Sequence, residues 1–147
     1  MARVLVLHGP NLNLLGEREE EIYGRTTLEQ INGDLKRQGE DEGVEVVALQ
    51  TNHEGEMIDQ IHKARGNFDV IILNPGAFTH YSYAIYDAIK AVPVPVIEVH
   101  LSNISAREPW RGISVVAPAA WGRISGFGPL SYRLALSAAC RLLKSYK

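Results

Sequence analysis

The sequence is poor in the features that mark several functional classes. It has one cysteine, Cys140, which excludes an internal disulfide framework and an all-cysteine zinc site. That cysteine lies in an apolar helical stretch and reads as core rather than nucleophile. No apolar run approaches the ~20 residues needed to cross a bilayer, and the run after Met1-Ala2-Arg3 is too short for the hydrophobic region of a secretory signal. Excess charge of either sign is also missing: 15 basic against 17 acidic residues leave a net charge of -2. No electrostatic argument therefore favours nucleic acid or an anionic membrane surface as partner. A Gly-x-x-x-x-Gly-Lys-Ser/Thr phosphate loop is absent, and Gly122, Gly126 and Gly128 come late and in the wrong order for a dinucleotide fingerprint. A Gly-x-Ser-x-Gly nucleophile elbow is absent too. His53 and His62 read as structural, because no histidine spacing suggests a metal site. These absences leave, as the expectation, a cytoplasmic protein that works by proton chemistry with neither metal nor cofactor.

What is present is a regular alternation. Among 147 residues, 46% of them hydrophobic, short apolar runs bounded by Gly, Pro or Asn alternate with segments of helical period. A chain of this length is expected to form one domain, residues 1–147, with a sizeable core. The strands are expected at Arg3–His8, Val44–Gln50, Asp69–Asn74, Val96–His100 and Ile113–Ala117. Thr26-Thr-Leu-Glu29 reads as a capping box that starts a helix carrying Leu28, Ile31 and Leu35 on one face. Met57, Ile58 and Ile61 mark a second helix closed by Gly66-Asn67, and Tyr83 to Val92 a third. A last helix starts near Pro129 and runs from Leu134 to Leu143. Strands nearly continuous in apolar residues belong in a parallel sheet covered on both faces. Right-handed crossovers then predict an α/β, flavodoxin-like, doubly wound five-stranded parallel sheet with helices on both faces.

Ligands of such sheets bind beyond the carboxyl ends of the strands. Three of those ends are polar: His8-Gly-Pro-Asn11, Asn74-Pro-Gly76 and His100-Leu-Ser-Asn103. Each could merely turn the chain, but all three on one edge point to a small polar ligand. The stretch from Leu5 to Arg25 supports this, since a loop this long in a compact domain usually has a binding or lid role. Glu98 and His100 sit two apart on a strand and share a face. They are either a structural ion pair or a general acid with its orienting carboxylate. A phenol, with a reference pKa of about 10, becomes a useful base only when a cation stabilises its phenolate. Tyr23, with Arg18 and Arg25 nearby, could be such a base or a surface anchor. Arg107 and Arg111 suit carboxylate or hydroxyl oxygens. His80 either caps the third helix or reaches the site. A flavin- or nucleotide-binding protein of the same fold is the rival reading, since fold alone does not give function; the missing phosphate loop weakens it.

Taken together, Gly9-Pro-Asn-Leu-Asn-Leu-Leu-Gly16 with Arg18 and Tyr23-Gly24, then Asn74-Pro-Gly-Ala-Phe-Thr-His80, then Glu98-Val-His-Leu-Ser-Asn103 with Ala106-Arg107-Glu108 and Arg111, resemble the type II 3-dehydroquinate dehydratases. The likeness spans almost the whole chain. It implies a carbon–oxygen lyase that removes water from 3-dehydroquinate by anti elimination through an enolate, giving 3-dehydroshikimate. That reaction is shared by the shikimate pathway to aromatic amino acids and by quinate catabolism. The resemblance implies Tyr23 as the base, Arg18 as the residue that activates it, and Asn11 as the holder of a water that meets the enolate. It implies His100, oriented by Glu98, as the acid. Asn74 and the backbone amides of Leu101 and Ser102 would take the substrate carboxylate, while Arg111 and His80 would take the ring hydroxyls. Asp87 would reach the site of a neighbouring subunit in a homododecamer built as a tetramer of trimers. The chain departs from the common pattern at Tyr86, at Gly112-Ile113 and at Ser131, none of which is an implied catalytic position.

Overall fold

The computed structural model describes residues 1–145. Five parallel strands form one sheet in the order β2-β1-β3-β4-β5: β1 Ala2–His8, β2 Val44–Gln50, β3 Val70–Asn74, β4 Val96–His100 and β5 Gly122–Ser125. The helices are the single turn α1 Glu20–Tyr23, α2 Leu28–Glu42, α3 Glu54–Ala64, α4 Tyr83–Lys90 and α5 Leu130–Ser145. This is the doubly wound flavodoxin-like order, and its reversal point lies between β1 and β3. No helix among the described residues is long and apolar enough to cross a membrane.

Side-chain alternation along the strands divides the core in two. Val4 and Val6 of β1, with Val70 and Ile72 of β3, pack against Ile31 and Leu35 of α2 and Tyr132 and Leu136 of α5. Leu5, Leu7, Ile71 and Leu73 pack on the opposite face against Met57 and Ile61 of α3 and Ile85 and Ile89 of α4. Burial on both faces explains why these strands contain almost no polar residue until their last position.

Beside one-residue shifts at the starts of β1 and β3, three differences from the sequence reading stand out. The fifth strand is not Ile113–Ala117 but Gly122–Ser125, paired Ile97↔Gly122 through His100↔Ser125. As an edge strand with exposed or half-buried residues throughout, β5 needs little apolar content and gives a weak signal. Residues 113–117 instead wrap the site: Ile113 is 64% exposed, and the Val115 N–H donates to the Thr79 carbonyl at 2.7 Å. The capping box is displaced by one residue. Thr27 is the N-cap, its hydroxyl accepting from the Gln30 N–H at 3.2 Å while the Gln30 side chain accepts from the Thr27 N–H at 2.9 Å. The third helix ends at Lys90 rather than Val92.

The reversal point is drawn tight by glycine. The Gly9 N–H donates to the Asn74 carbonyl at 2.7 Å, and a Cβ on Gly9 would lie 2.8 Å from that oxygen. Gly76, at φ +57, lies against Pro10 in a conformation that favours glycine. The ends of β1 and β3 can therefore meet backbone to backbone, which brings the first loop over the end of the sheet.

Candidate active site

A pocket lies at the carboxyl ends of β1, β3 and β4. Its wall includes Asn11, Arg18 and Tyr23 from the first loop, Asn74 from β3, His80, His100, Leu101, Ser102, Arg107 and Arg111. That set contains every site residue implied by the family resemblance except Glu98 and Asp87. Glu98 is fully buried beneath His100. Asp87 is exposed on α4 and is not part of this wall.

Strand parity explains the lower half of the site. Glu98 and His100 alternate with Ile97 and Val99, which belong to the α2/α5 face of the sheet. The acid and imidazole therefore share the other face, where His100 Nε2 lies 2.5 Å from Glu98 Oε2. The Thr79 hydroxyl donates to the same oxygen at 2.6 Å, and the Ser114 hydroxyl lies 3.0 Å from Glu98 Oε1. Burial works to raise the Glu98 pKa, but the hydrogen bonds from His100, Thr79 and Ser114 outweigh it and hold the carboxyl below its usual range. An ionised Glu98 therefore anchors Nε2 of His100 and leaves the Nδ1 edge of the ring for other work.

The upper half comes from the first loop, which is not wholly irregular: Leu12–Leu14 form a 3-10 turn and Glu20–Tyr23 a single helical turn. Asn11 adopts φ +69, a left-handed conformation that asparagine tolerates better than most residues. The Arg18 guanidinium lies over the face of the Tyr23 ring, 4.3 Å from its centroid. The phenolic oxygen, however, is met by Arg107, whose Nη1 donates to it at 2.8 Å. Arg107 also reaches the Ser102 hydroxyl at 3.2 Å. Its Nε is buried with no hydrogen-bond partner among the described residues, the nearest acid being Glu108 Oε1 at 3.7 Å. The sequence named Arg107 only as a possible anion binder and missed its contact with Tyr23. Arg25, the other cation considered there, is largely exposed and bonded to Glu20 at 3.1 Å.

His80 completes the rim. Its Nδ1 lies 2.7 Å from the Ile113 carbonyl, so Nδ1 carries the proton and Nε2 is left as an acceptor. Burial lowers the His80 pKa against the pull of that carbonyl, and the nearby charges of His100 and Arg111 lower it further. Trp110 meets the His80 ring edge-on at 5.1 Å and carries the Arg111 guanidinium 4.2 Å above its own ring. Arg111 is further fixed by Glu108 at 2.8 Å.

Beneath Asn74 runs a buried polar chain that the sequence did not disclose. His8 and Asn74 are register partners and continue the inward faces of Val6 and Ile72, so both point toward α2 and α5. His8 Nε2 lies 2.7 Å from Asn32 Oδ1 and Nδ1 lies 2.8 Å from the Tyr132 hydroxyl. Asn74 Nδ2 donates to that hydroxyl oxygen at 3.0 Å. Burial, opposed by the bond to Asn32, holds the His8 pKa down at about 4. Burial also pushes the Tyr132 hydroxyl well above the phenol range, so it remains protonated.

A depressed imidazole pKa has a sign. Between pH 6.5 and about 4 the unfolded chain binds a proton at His8 that the folded chain refuses, so stability falls as pH falls through that window. The loss should approach about 3 kcal/mol, on the order of 1.4 kcal/mol per pH unit. Thermal denaturation of the wild type and His8→Asn across pH 4–7 measures it; equal pH dependence in both would show that His8 titrates normally.

Comparison with known proteins gives concordant results. The family model described as Dehydroquinase class II matches residues 2–140. The 3-dehydroquinate dehydratase of Caldicellulosiruptor bescii is 57% identical over 144 residues, covering 97% of this chain and 99% of the relative. That of Thermus thermophilus is 58% identical over 134 residues, covering 90% of each. Among solved structures, a type II dehydroquinase from Butyrivibrio crossotus has a TM-score of 0.92 at 44% identity, covering 94% of this chain and 97% of that one.

Proposed function

The chain belongs to the class II dehydroquinase family, and on that premise we propose that its pocket removes water from 3-dehydroquinate, with Tyr23 as base and His100 as acid. Membership makes it a hydro-lyase. The observation that carries the assignment of roles is the pairing, in one pocket, of a phenol held by two guanidinium groups with an imidazole anchored by an ionised carboxylate.

The reaction needs a proton taken from the carbon beside the ketone before the hydroxyl can leave. Tyr23 as phenolate takes that proton, and Arg18 and Arg107 offset its negative charge. The electron pair passes into the ketone as an enolate, whose oxygen is met by a water held at Asn11. Collapse of the enolate expels the hydroxyl, which His100 protonates so that water leaves. Glu98 keeps the imidazole in place for this transfer. Asn74 and the backbone amides of Leu101 and Ser102 bind the substrate carboxylate, while Arg111 and the Nε2 acceptor of His80 bind ring hydroxyls. None of these steps draws on a cofactor.

Addition of 3-dehydroquinate to the purified protein should produce the near-ultraviolet absorbance of a conjugated enone with no metal or cofactor supplied. Folded protein that gives no such signal, or that releases flavin or nucleotide on denaturation, would favour the binding-protein reading of the fold.

We further propose that Asp87, exposed on α4 and outside this chain's own pocket, contributes to the pocket of a neighbouring subunit in a trimer, four of which make a dodecamer. Light scattering should give a mass about twelve times that of the chain, as point-group assembly requires. A monomer that is active at full rate would remove Asp87 from the site.

A further inference from the structure

We infer that Tyr132 and His8 are positioning residues for Asn74: they lock its amide so that an N–H, and never the carbonyl oxygen, faces the substrate carboxylate. The inference rests on the reading of Asn74 as a carboxylate ligand and deepens it.

The argument is one of hydrogen-bond polarity. The chain of contacts has an acceptor at one end and a donor at the other. At the Asn32 end, Oδ1 can only accept, so His8 Nε2 carries the proton. The His8 ring is neutral, so its Nδ1 is bare and must accept the Tyr132 O–H. With its hydrogen committed to His8, the Tyr132 oxygen has only lone pairs to offer Asn74, which must present Nδ2–H to it. At the far end the Gly76 N–H can only donate, and it takes Asn74 Oδ1 at 3.0 Å. Both ends therefore enforce the same amide orientation.

An Asn74 amide turned over would set Oδ1 against a tyrosine oxygen with no hydrogen to give and Nδ2 against a backbone N–H. Burial makes both mismatches costly, because His8 and Tyr132 are fully buried and Asn74 is 3% exposed. Asn74 Nδ2 has two hydrogens, and Tyr132 takes one. The second is the donor left for a ligand in the pocket that Asn74 lines.

Steady-state kinetics on a set of variants test this. Tyr132→Phe removes the oxygen and keeps the ring; it should raise KM about tenfold, with kcat held within about twofold, as loss of a binding contact requires. Asn74→Ala should raise KM as well, and adding Tyr132→Phe to it should raise KM no further, since the two residues act through one contact. His8→Leu should reproduce the tyrosine variant, whereas His8→Asn, whose Oδ1 stands where Nδ1 was, should restore a near-normal KM. If a substitution at Tyr132 does not fold, Asn32→Ala on the half-buried end of the chain serves in its place, since alanine suits a helix. Removing that acceptor frees the His8 tautomer and should again raise KM. A normal KM in Tyr132→Phe or Asn32→Ala, when Asn74→Ala raises it, would overturn the positioning role alone. A normal KM in Asn74→Ala would instead remove the carboxylate reading of Asn74, and this inference with it. A fall in thermal midpoint with unchanged KM would mark the chain as merely structural.

Discussion

Tyr23→Phe is expected to lower kcat by at least ~10²-fold while KM stays close to that of the wild type. The substitution removes one oxygen and leaves the ring over which the Arg18 guanidinium lies at 4.3 Å. Packing of the first loop on the pocket therefore survives, and substrate can still be enclosed. What is lost is the atom that takes the proton, together with the acceptor of the Arg107 hydrogen bond. A transition-state role lowers kcat and kcat/KM together, whereas a surface anchor would alter KM or nothing. Single-turnover measurement with 3-dehydroquinate separates these cases. Near-normal turnover would remove Tyr23 from the base role and with it the proton path proposed above.

Arg107→Met should lower kcat by roughly 10²- to 10³-fold, the magnitude seen when one charge-stabilising donor is lost. Methionine keeps the length of the aliphatic stem and loses the guanidinium. Its effect should exceed that of Arg18→Met, because Arg107 is bonded to the phenolic oxygen at 2.8 Å while Arg18 meets the ring through its face. A cation acting on the oxygen opposes phenolate charge directly, and one above the ring acts on the quadrupole and closes the loop over it. The family resemblance assigned activation to Arg18 alone, so the comparison decides between two accounts. Full activity in Arg107→Met with a large loss in Arg18→Met would return the role to Arg18.

Much of the architecture was legible because the strands are regular. Four of five were placed within a residue or so at each end, since burial on both faces demands runs such as Val70-Ile-Ile-Leu73. The fifth was not, because an edge strand like Gly122-Arg-Ile-Ser125 can form with a single large apolar residue. Ile113–Ala117 looked more apolar than β5 and still lies outside the sheet. Its backbone and Ser114 hydroxyl are committed to Thr79 and Glu98 instead.

The same division runs through the site. Alternation along β4 put Glu98 and His100 on one face, and the 2.5 Å contact between them follows from a spacing of two within one strand. Nothing comparable links Arg107 to Tyr23, which are 84 residues apart, or Tyr132 to His8, which are 124 apart. In the sequence Tyr132 is one apolar position in a helix, and its hydroxyl has no visible destination.

The sequence by itself determined the strand-end motifs, the faces their side chains take and the family to which they point, because these follow from local period and residue chemistry. Only the tertiary structure decided which cation meets the phenol, which hydroxyl fixes Asn74 and which segment closes the sheet. Periodicity orients a side chain relative to its own backbone. The partner it meets depends on how distant helices and loops pack over the ends of the strands.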